Sequence, residues 1–235
     1  MKILLIIPAY NEEENILSVC NDIKKYSKKV DYIVINDGSI DNTGMLCEKN
    51  KIPCINLLMN LGIGGAVQTG YIFAKKHNYD IAVQFDGDGQ HNIKDLDNLI
   101  KPIEIGQADL CIGSRFVSKK STFRSTRMRR LGIKVISFLI RILTKERITD
   151  PTSGFRAVNK KIIEEFAKEY PVDFPEPESL VFLSRKRYRI KEVPVNMFER
   201  KKGVSSITPF KSFYYMVKVI TAIIIRNFLT KERIK

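Results

Sequence analysis

Residues Gln84–His91 read QFDGDGQH: two aspartates one residue apart, fenced by glycines, directly after an apolar run. Two readings are open. The stretch is a polar turn that happens to be acidic, or it holds a divalent cation. A hard cation such as Mg²⁺ or Mn²⁺ takes oxygen ligands from closely spaced carboxylates and water, and glycines at 87 and 89 let the backbone come close to a ligand. The spacing therefore favours the cation, with Asp86 and Asp88 as its ligands. An oxygen-preferring ion leaves His91 a structural or substrate-contact role rather than a ligand's.

Other polar clusters carry weaker signals. Asp37-Gly38-Ser39, followed by Asp41, has the composition of a turn and helix cap as much as that of a site. Gly62-Ile63-Gly64-Gly65 looks like a phosphate loop, but no GK[ST] follows and the GxGxxG spacing fails. Neither a Walker loop nor a dinucleotide fingerprint is present.

The elements that must position these groups alternate in kind. Apolar, strand-like runs occur at Ile3–Ile7, Tyr32–Ile35, Cys54–Leu58, Ile81–Phe85 and Leu110–Ile112, separated by helix-like stretches at Glu12–Tyr26, Asn42–Lys49, Gly64–His77 and Ile93–Ile103. Short, continuous apolar strands alternating with helices predict an α/β fold with a mostly parallel sheet covered on both faces. In such sheets ligands bind beyond the carboxyl ends of the strands. Pro8-Ala9-Tyr10-Asn11-Glu12, Asn36-Asp37-Gly38-Ser39, Asn60-Leu61-Gly62 and Asp86-Gly87-Asp88 each follow one of the first four strands. Four loops gather at one edge, and that edge is the expected site.

A chain of 235 residues with 44% hydrophobic content supports one substantial core. The amino-terminal apolar run MKILLII ends in Pro and acidic residues, so it predicts a strand and not a signal peptide. Four cysteines without a CxxC pair read as small reduced core residues, which fits a cytosolic address. No window of about 18 residues is apolar and uncharged, so no membrane span is expected. The net charge of +14 is unevenly placed: residues 115–147 hold eleven Lys/Arg against one Glu, and residues 200–235 nine against one, leaving the remainder at −4. Two basic segments on a mildly acidic body predict a docking surface. Nucleic acid is a poor partner, because no recognised binding motif appears and the basic segments carry few aromatics for stacking on bases.

From Arg127, the sequence RMRRLGIKVISFLIRILTKER places Met128, Leu131, Val135, Phe138, Leu139 and Ile142 at three- and four-residue steps. Arg127, Arg130, Lys134, Arg141 and Lys145 recur on the opposite face. A basic amphipathic helix over about 125–146 predicts binding at an anionic membrane surface. A helix packed on the core with a solvated basic face is the alternative. A last amphipathic helix, roughly Pro209 to Leu229, repeats the theme with Phe210, Phe213, Tyr214, Val217, Ile220 and Ile224. Its thin polar face also suits a small membrane-embedded partner subunit.

In their joint order, IPAYNEEENI, VINDGSIDNT, NLGIGGAVQTGY, QFDGDGQH, GSRF and DPTSGFRAVNK resemble the family-two glycosyltransferases, inverting sugar-nucleotide enzymes of the Rossmann-like GT-A fold. The resemblance runs from Ile3 to about Ser206. It is strongest to the polyprenyl-phosphate sugar transferases, which carry a basic-glycine-serine acceptor loop that RKKGVSS, Arg200 to Ser206, matches. Many bacterial relatives add transmembrane helices, and none is read here. The resemblance implies a catalytic domain over 1–206 and a membrane-associating helix over 207–235. It implies that Pro8, Tyr10, Glu12, Ile35 and Asp37 line the pocket of a UDP- or GDP-linked sugar, with uridine favoured. Asp86, Asp88 and Gln90 would hold Mg²⁺ or Mn²⁺ on the diphosphate. Arg115 and one of Arg129 or Arg130 would contact a phosphate; Arg200, Gly203 and Ser205 would bind the acceptor. A polyprenyl phosphate brings its own anionic nucleophile, leaving Asp150 to orient or assist. With a sugar hydroxyl as acceptor, on a lipid-linked saccharide or a cell-surface glycan, Asp150 would be the candidate base. Either way, the implied enzyme is peripheral on the cytoplasmic face of the membrane.

Overall fold

The computed structural model describes residues 1–26, 29–117, 127–198 and 209–233, apart from the side chains at 127, 129, 209–215 and 231–233. Among them, seven strands form one sheet in the order β3-β2-β1-β4-β6-β5-β7. These are β1 (Ile3–Ala9), β2 (Asp31–Asn36), β3 (Cys54–Asn56), β4 (Ile81–Gln84), β5 (Leu110–Ser114), β6 (Arg156–Asn159) and β7 (Ile190–Pro194). All pairings are parallel except those of β6, which runs antiparallel to both β4 and β5.

Every residue of β1 is buried. Successive side chains on a strand face opposite ways, so Leu4 and Ile6 enter one hydrophobic cluster while Leu5 and Ile7 enter the other. The second cluster is closed by α1 (Ile16–Tyr26) and α4 (Leu96–Glu104), with Cys47 of α2 (Thr43–Lys49) beside them. The first is closed by α3 (Gly62–Lys76), α5 (Arg127–Thr144), α6 (Lys160–Lys168), α7 (Pro175–Arg185) and α8 (Pro209–Arg233). Helices therefore cover both faces, as the strand pattern predicts. All four cysteines are free thiols.

Two features depart from the sequence pattern. First, α1 starts at Ile16, because Glu12 to Asn15 form a turn in which Glu12 O accepts from Asn15 N and Ile16 N at 3.0 and 2.9 Å. Second, α5 carries two apolar stripes. Ile133, Ile136 and Ile140 are buried in the core, whereas Met128, Leu131, Val135, Phe138 and Ile142 stay 40–77% exposed, with Arg130, Lys134 and Arg141 exposed alongside. The periodicity of the exposed stripe is genuine; the stripe that packs is its neighbour. α8 does likewise: Val219 and Ile223 enter the core, and Val217, Ile225, Phe228 and Leu229 remain about half-exposed. α8 is tied to the body by Arg185 Nε donating to Asn227 Oδ1 at 2.7 Å and by an Arg226–Glu169 ion pair at 2.7 Å. Among the described residues no helix is long and apolar enough to cross a membrane.

Candidate active site

The carboxyl ends of β1, β2 and β4 lie side by side, and their loops are stitched together by side chains acting as substitutes for backbone partners. Asn11 N donates to Ser39 Oγ at 3.0 Å, and Ile40 N returns a bond to Asn11 Oδ1 at 3.0 Å. Asn11 sits at φ 55°, a left-handed conformation that asparagine tolerates. Glu12 N donates to Thr43 Oγ1 at 2.9 Å, and the Glu12 carboxylate accepts from Asn15 Nδ2 at 2.8 Å.

Asp37 is buried at 3% exposure, and its Oδ1 accepts from Leu61 N at 2.7 Å, which holds the third loop against the second. Gly38 makes that approach possible: it has φ +63°, and a Cβ there would lie 2.6 Å from the backbone of Met59 and Asn60. Pro8 is buried, Tyr10 is 47% exposed at the rim, and Ile35 is packed in the core at 0%.

The acidic loop lies against this frame. Gly87 N donates to Pro8 O at 3.3 Å. Asp86 Oδ2 is 2.9 Å from His91 Nε2, and Oδ1 is 3.3 Å from Gln84 Nε2. Burial alone would raise the Asp86 carboxyl; the His91 ring, the Gln84 amide and the charge of Arg115 more than offset it, so the group lies below the usual carboxylate range. Asp88 Oδ1 accepts from Gln90 N at 3.0 Å, closing the turn, and Gln90 O accepts from Phe198 N at 2.8 Å. That last bond brings the acidic loop beside the segment leading towards residue 200. Gly154 completes the wall, since a Cβ there would stand 2.7 Å from Asp86 Oδ2.

Two carboxylates, one amide and an open edge are a sparse donor set for a cation. No group of three or more His, Cys, Asp or Glu capable of holding one is found among the described residues. That sparseness fits Mg²⁺ or Mn²⁺, which bind through one or two carboxylates together with water and substrate phosphates rather than in an all-protein cage.

Arg115 and Asp150 meet one strand further across. Arg115 donates from Nε at 2.7 Å and from NH2 at 2.6 Å to the two oxygens of Asp150, and Arg115 N adds a third bond at 3.0 Å. Both residues are buried, at 4% and 0%. Glu192 clamps the same turn by accepting from Thr149 N and Asp150 N at 2.8 Å each. Arg130 is exposed on α5. Arg129 lies on α5 with its side chain outside the described residues, and Arg200, Gly203 and Ser205 lie outside them altogether.

Sequence reasoning does not find Gln84, Arg156 or Glu176. Arg156 is buried at 2% and donates to the carbonyls of Pro151, Ser153 and Glu176 and to Ser179 Oγ at 2.6–3.0 Å, fastening the 150–154 loop to the start of α7. Glu176 Oε1 lies 3.4 Å from Gln84 Nε2, and burial pushes its carboxyl up. The available signal was the pair of prolines in PEPE at the first turn of α7.

A mostly parallel sheet with a carboxylate pair at its carboxyl edge defines a GT-A type glycosyltransferase fold. The sequence profile described as "Glycosyl transferase family 2" matches residues 4–167, and the chain belongs to that family. It is 30% identical to the UDP-N-acetylglucosamine–dolichyl-phosphate N-acetylglucosaminyltransferase of Methanococcus voltae, over 92% of this chain and 94% of that one. It is 29% identical to the polyprenol monophosphomannose synthase of Mycolicibacterium smegmatis, over 87% and 80%. Among solved structures, the glucosyl-3-phosphoglycerate synthase of Mycobacterium tuberculosis in complex with Mn²⁺, UDP-glucose and phosphoglyceric acid superposes with a TM-score of 0.72 at 18% identity, covering 96% of this chain and 79% of the other.

Proposed function

We propose that the protein transfers a hexose from a nucleotide sugar to a polyprenyl phosphate at the cytoplasmic membrane face, with inversion and with a divalent cation. The observation that carries this reading is the Asp86–Asp88 pair, braced by His91, Gln84 and the β1 loop at the edge where a nucleoside diphosphate would lie. Relatives named for polyprenyl- or dolichyl-phosphate sugar transfer align with nearly the whole chain, which supports the acceptor class. Asp86, Asp88 and Gln90 would hold Mg²⁺ or Mn²⁺, whose chemistry is to neutralise charge on the departing diphosphate. Pro8, Tyr10, Glu12 and Asp37 would line the nucleoside pocket, Ile35 backing it from the core.

The acceptor's phosphate oxygen attacks the anomeric carbon. The bond from that carbon to the nucleoside diphosphate breaks, and the diphosphate leaves with the electron pair. The nucleophile is already anionic at neutral pH, so no base need remove a proton. Both oxygens of Asp150 are engaged by Arg115, which suits a reaction of that kind. The deciding assay offers labelled UDP- and GDP-sugars with and without undecaprenyl phosphate. The reading predicts acid-labile lipid product only when the lipid phosphate is added; transfer solely to a lipid-linked saccharide would overturn it.

Two further outcomes follow. Arg200→Ala will weaken use of polyprenyl phosphate strongly while sparing nucleotide binding, because a site holding two phosphate-bearing substrates needs charge-assisted donors beside the acceptor; separate titrations of the two substrates check this. The half-exposed apolar stripe of α5, flanked by Arg130, Lys134 and Arg141, supports docking on an anionic bilayer. Replacing Arg127, Arg130 and Lys134 with Glu will release the protein from anionic liposomes, each basic residue contributing roughly 1 kcal/mol. Unchanged pelleting would remove the membrane role from this helix.

A further inference from the structure

His91 is enclosed on all sides. Its ring stacks on Phe155 at 4.9 Å between centroids and meets Phe85 edge-on at 5.5 Å, and its side chain has 0% exposure. Nε2 lies 2.9 Å from Asp86 Oδ2, while Nδ1 is buried with no hydrogen-bond partner. An ionised carboxylate only accepts, so the hydrogen of that bond is on Nε2.

The ring is therefore a prop whose body is gripped by two phenylalanines and whose Nε2–H meets one oxygen of Asp86. Gln84 Nε2 approaches the other oxygen at 3.3 Å, and Gly154, by lacking a Cβ, leaves room for the carboxylate beside the 150–154 loop. The Asp86 side chain nevertheless keeps 32% exposure, so the carboxylate is held and still reachable. The main chain of His91 also pairs with Met197, joining this prop to the segment that precedes residue 200.

We propose that His91 is a positioning residue that fixes the Asp86 carboxylate in the orientation a divalent cation on a nucleoside diphosphate requires. This rests on the metal reading above. Carboxylate ligands are commonly oriented by such outer partners, whose loss typically costs about 10–100-fold in metal affinity.

The test titrates Mn²⁺ into the full chain with saturating UDP or GDP, whichever the wild type holds better, and follows free Mn²⁺ by electron paramagnetic resonance beside thermal unfolding. His91→Phe fills the same slot between Phe85 and Phe155 but donates nothing. Its Mn²⁺ affinity will fall by about 10–100-fold with an unfolding midpoint close to the wild type's. His91→Gln restores a donor near the Nε2 position and will recover most of that loss. If His91→Phe does not fold, His91→Met supplies the apolar replacement that adapts to the slot. A folded apolar variant that binds Mn²⁺ like the wild type overturns the proposal, and so does a folded His91→Gln no better than it. A wild type that takes up no Mn²⁺ with either nucleotide overturns the metal reading itself, a separate result.

Discussion

Asp88→Asn will cut turnover by on the order of 10²–10⁴, the rate equivalent of losing several kcal/mol of charge stabilisation on a leaving diphosphate, while the unfolding midpoint barely moves. The two halves of that expectation have separate causes. Asp88 is half-buried in a loop, and its Oδ1 accepts from Gln90 N at 3.0 Å. Asparagine keeps an oxygen for that turn, and a loop substitution of this kind stays within about 0.5 kcal/mol in stability. What asparagine lacks is the negative charge, and a sparse donor set of Asp86, Asp88 and Gln90 has no spare carboxylate to replace it. Steady-state turnover across a Mn²⁺ series, with an EDTA control and a melting curve for each protein, checks both halves. Activity undiminished in EDTA and in the mutant would falsify the metal assignment.

The gathering of these loops at one edge was legible because the loops are short and the strands are continuous apolar runs. Ile3–Ile7 and Ile81–Phe85 are recognisable as buried strands, and the polar residues immediately after such strands must fall at one edge of a parallel sheet. The placement of Asp37 and Asp86 at that edge follows from that rule. What the rule does not reach is everything set by the antiparallel β6. Its run Arg156–Asn159 is only four residues long and begins with a charge, so no periodicity marks it. Yet it is β6 that carries Arg156 beneath the 150–154 loop and presses Gly154 against Asp86. The amphipathic helix α5 was half legible for a related reason. A helix apolar around more than half its circumference offers two stripes of the same period, and sequence alone does not say which one the sheet will take. The Ile133–Ile136–Ile140 stripe packs; the stripe with Phe138, larger and flanked by arginine and lysine, stays outside. Asp150 illustrates a third limit. The resemblance offers it as an orienting group or a base, and only the structure reveals that an arginine 35 residues away engages both of its oxygens.

That occupancy gives Asp150→Asn a large and specific effect. The mutant takes the carboxylate charge away from Arg115, which is buried at 4% exposure, and breaking one side of a buried ion pair costs about 3–5 kcal/mol. For a domain of this size the midpoint will fall by roughly 6–20 °C. A bare loss of activity in crude extract would then say nothing about chemistry, because fewer molecules are folded. Turnover per folded molecule, measured well below the lowered midpoint, carries the information. An obligatory general base would cost about 10²–10⁴-fold there. A phosphate acceptor needs no such base, so the folded fraction of Asp150→Asn will retain transfer to polyprenyl phosphate with a smaller loss. That residual loss has a structural source: Arg115 is no longer held at the end of β5, where its charge is felt by Asp86. Arg115→Ala separates the two contributions. It takes the guanidinium from the buried Asp150 carboxylate while the main-chain N–H of residue 115 still donates to it, so it will destabilise about as much as Asp150→Asn while preserving the carboxylate a base mechanism requires. Equal turnover per folded molecule in the two mutants places the function of the pair in its geometry. A folded Asp150→Asn that is inert beside an active Arg115→Ala would make Asp150 a base, and with it the acceptor a hydroxyl.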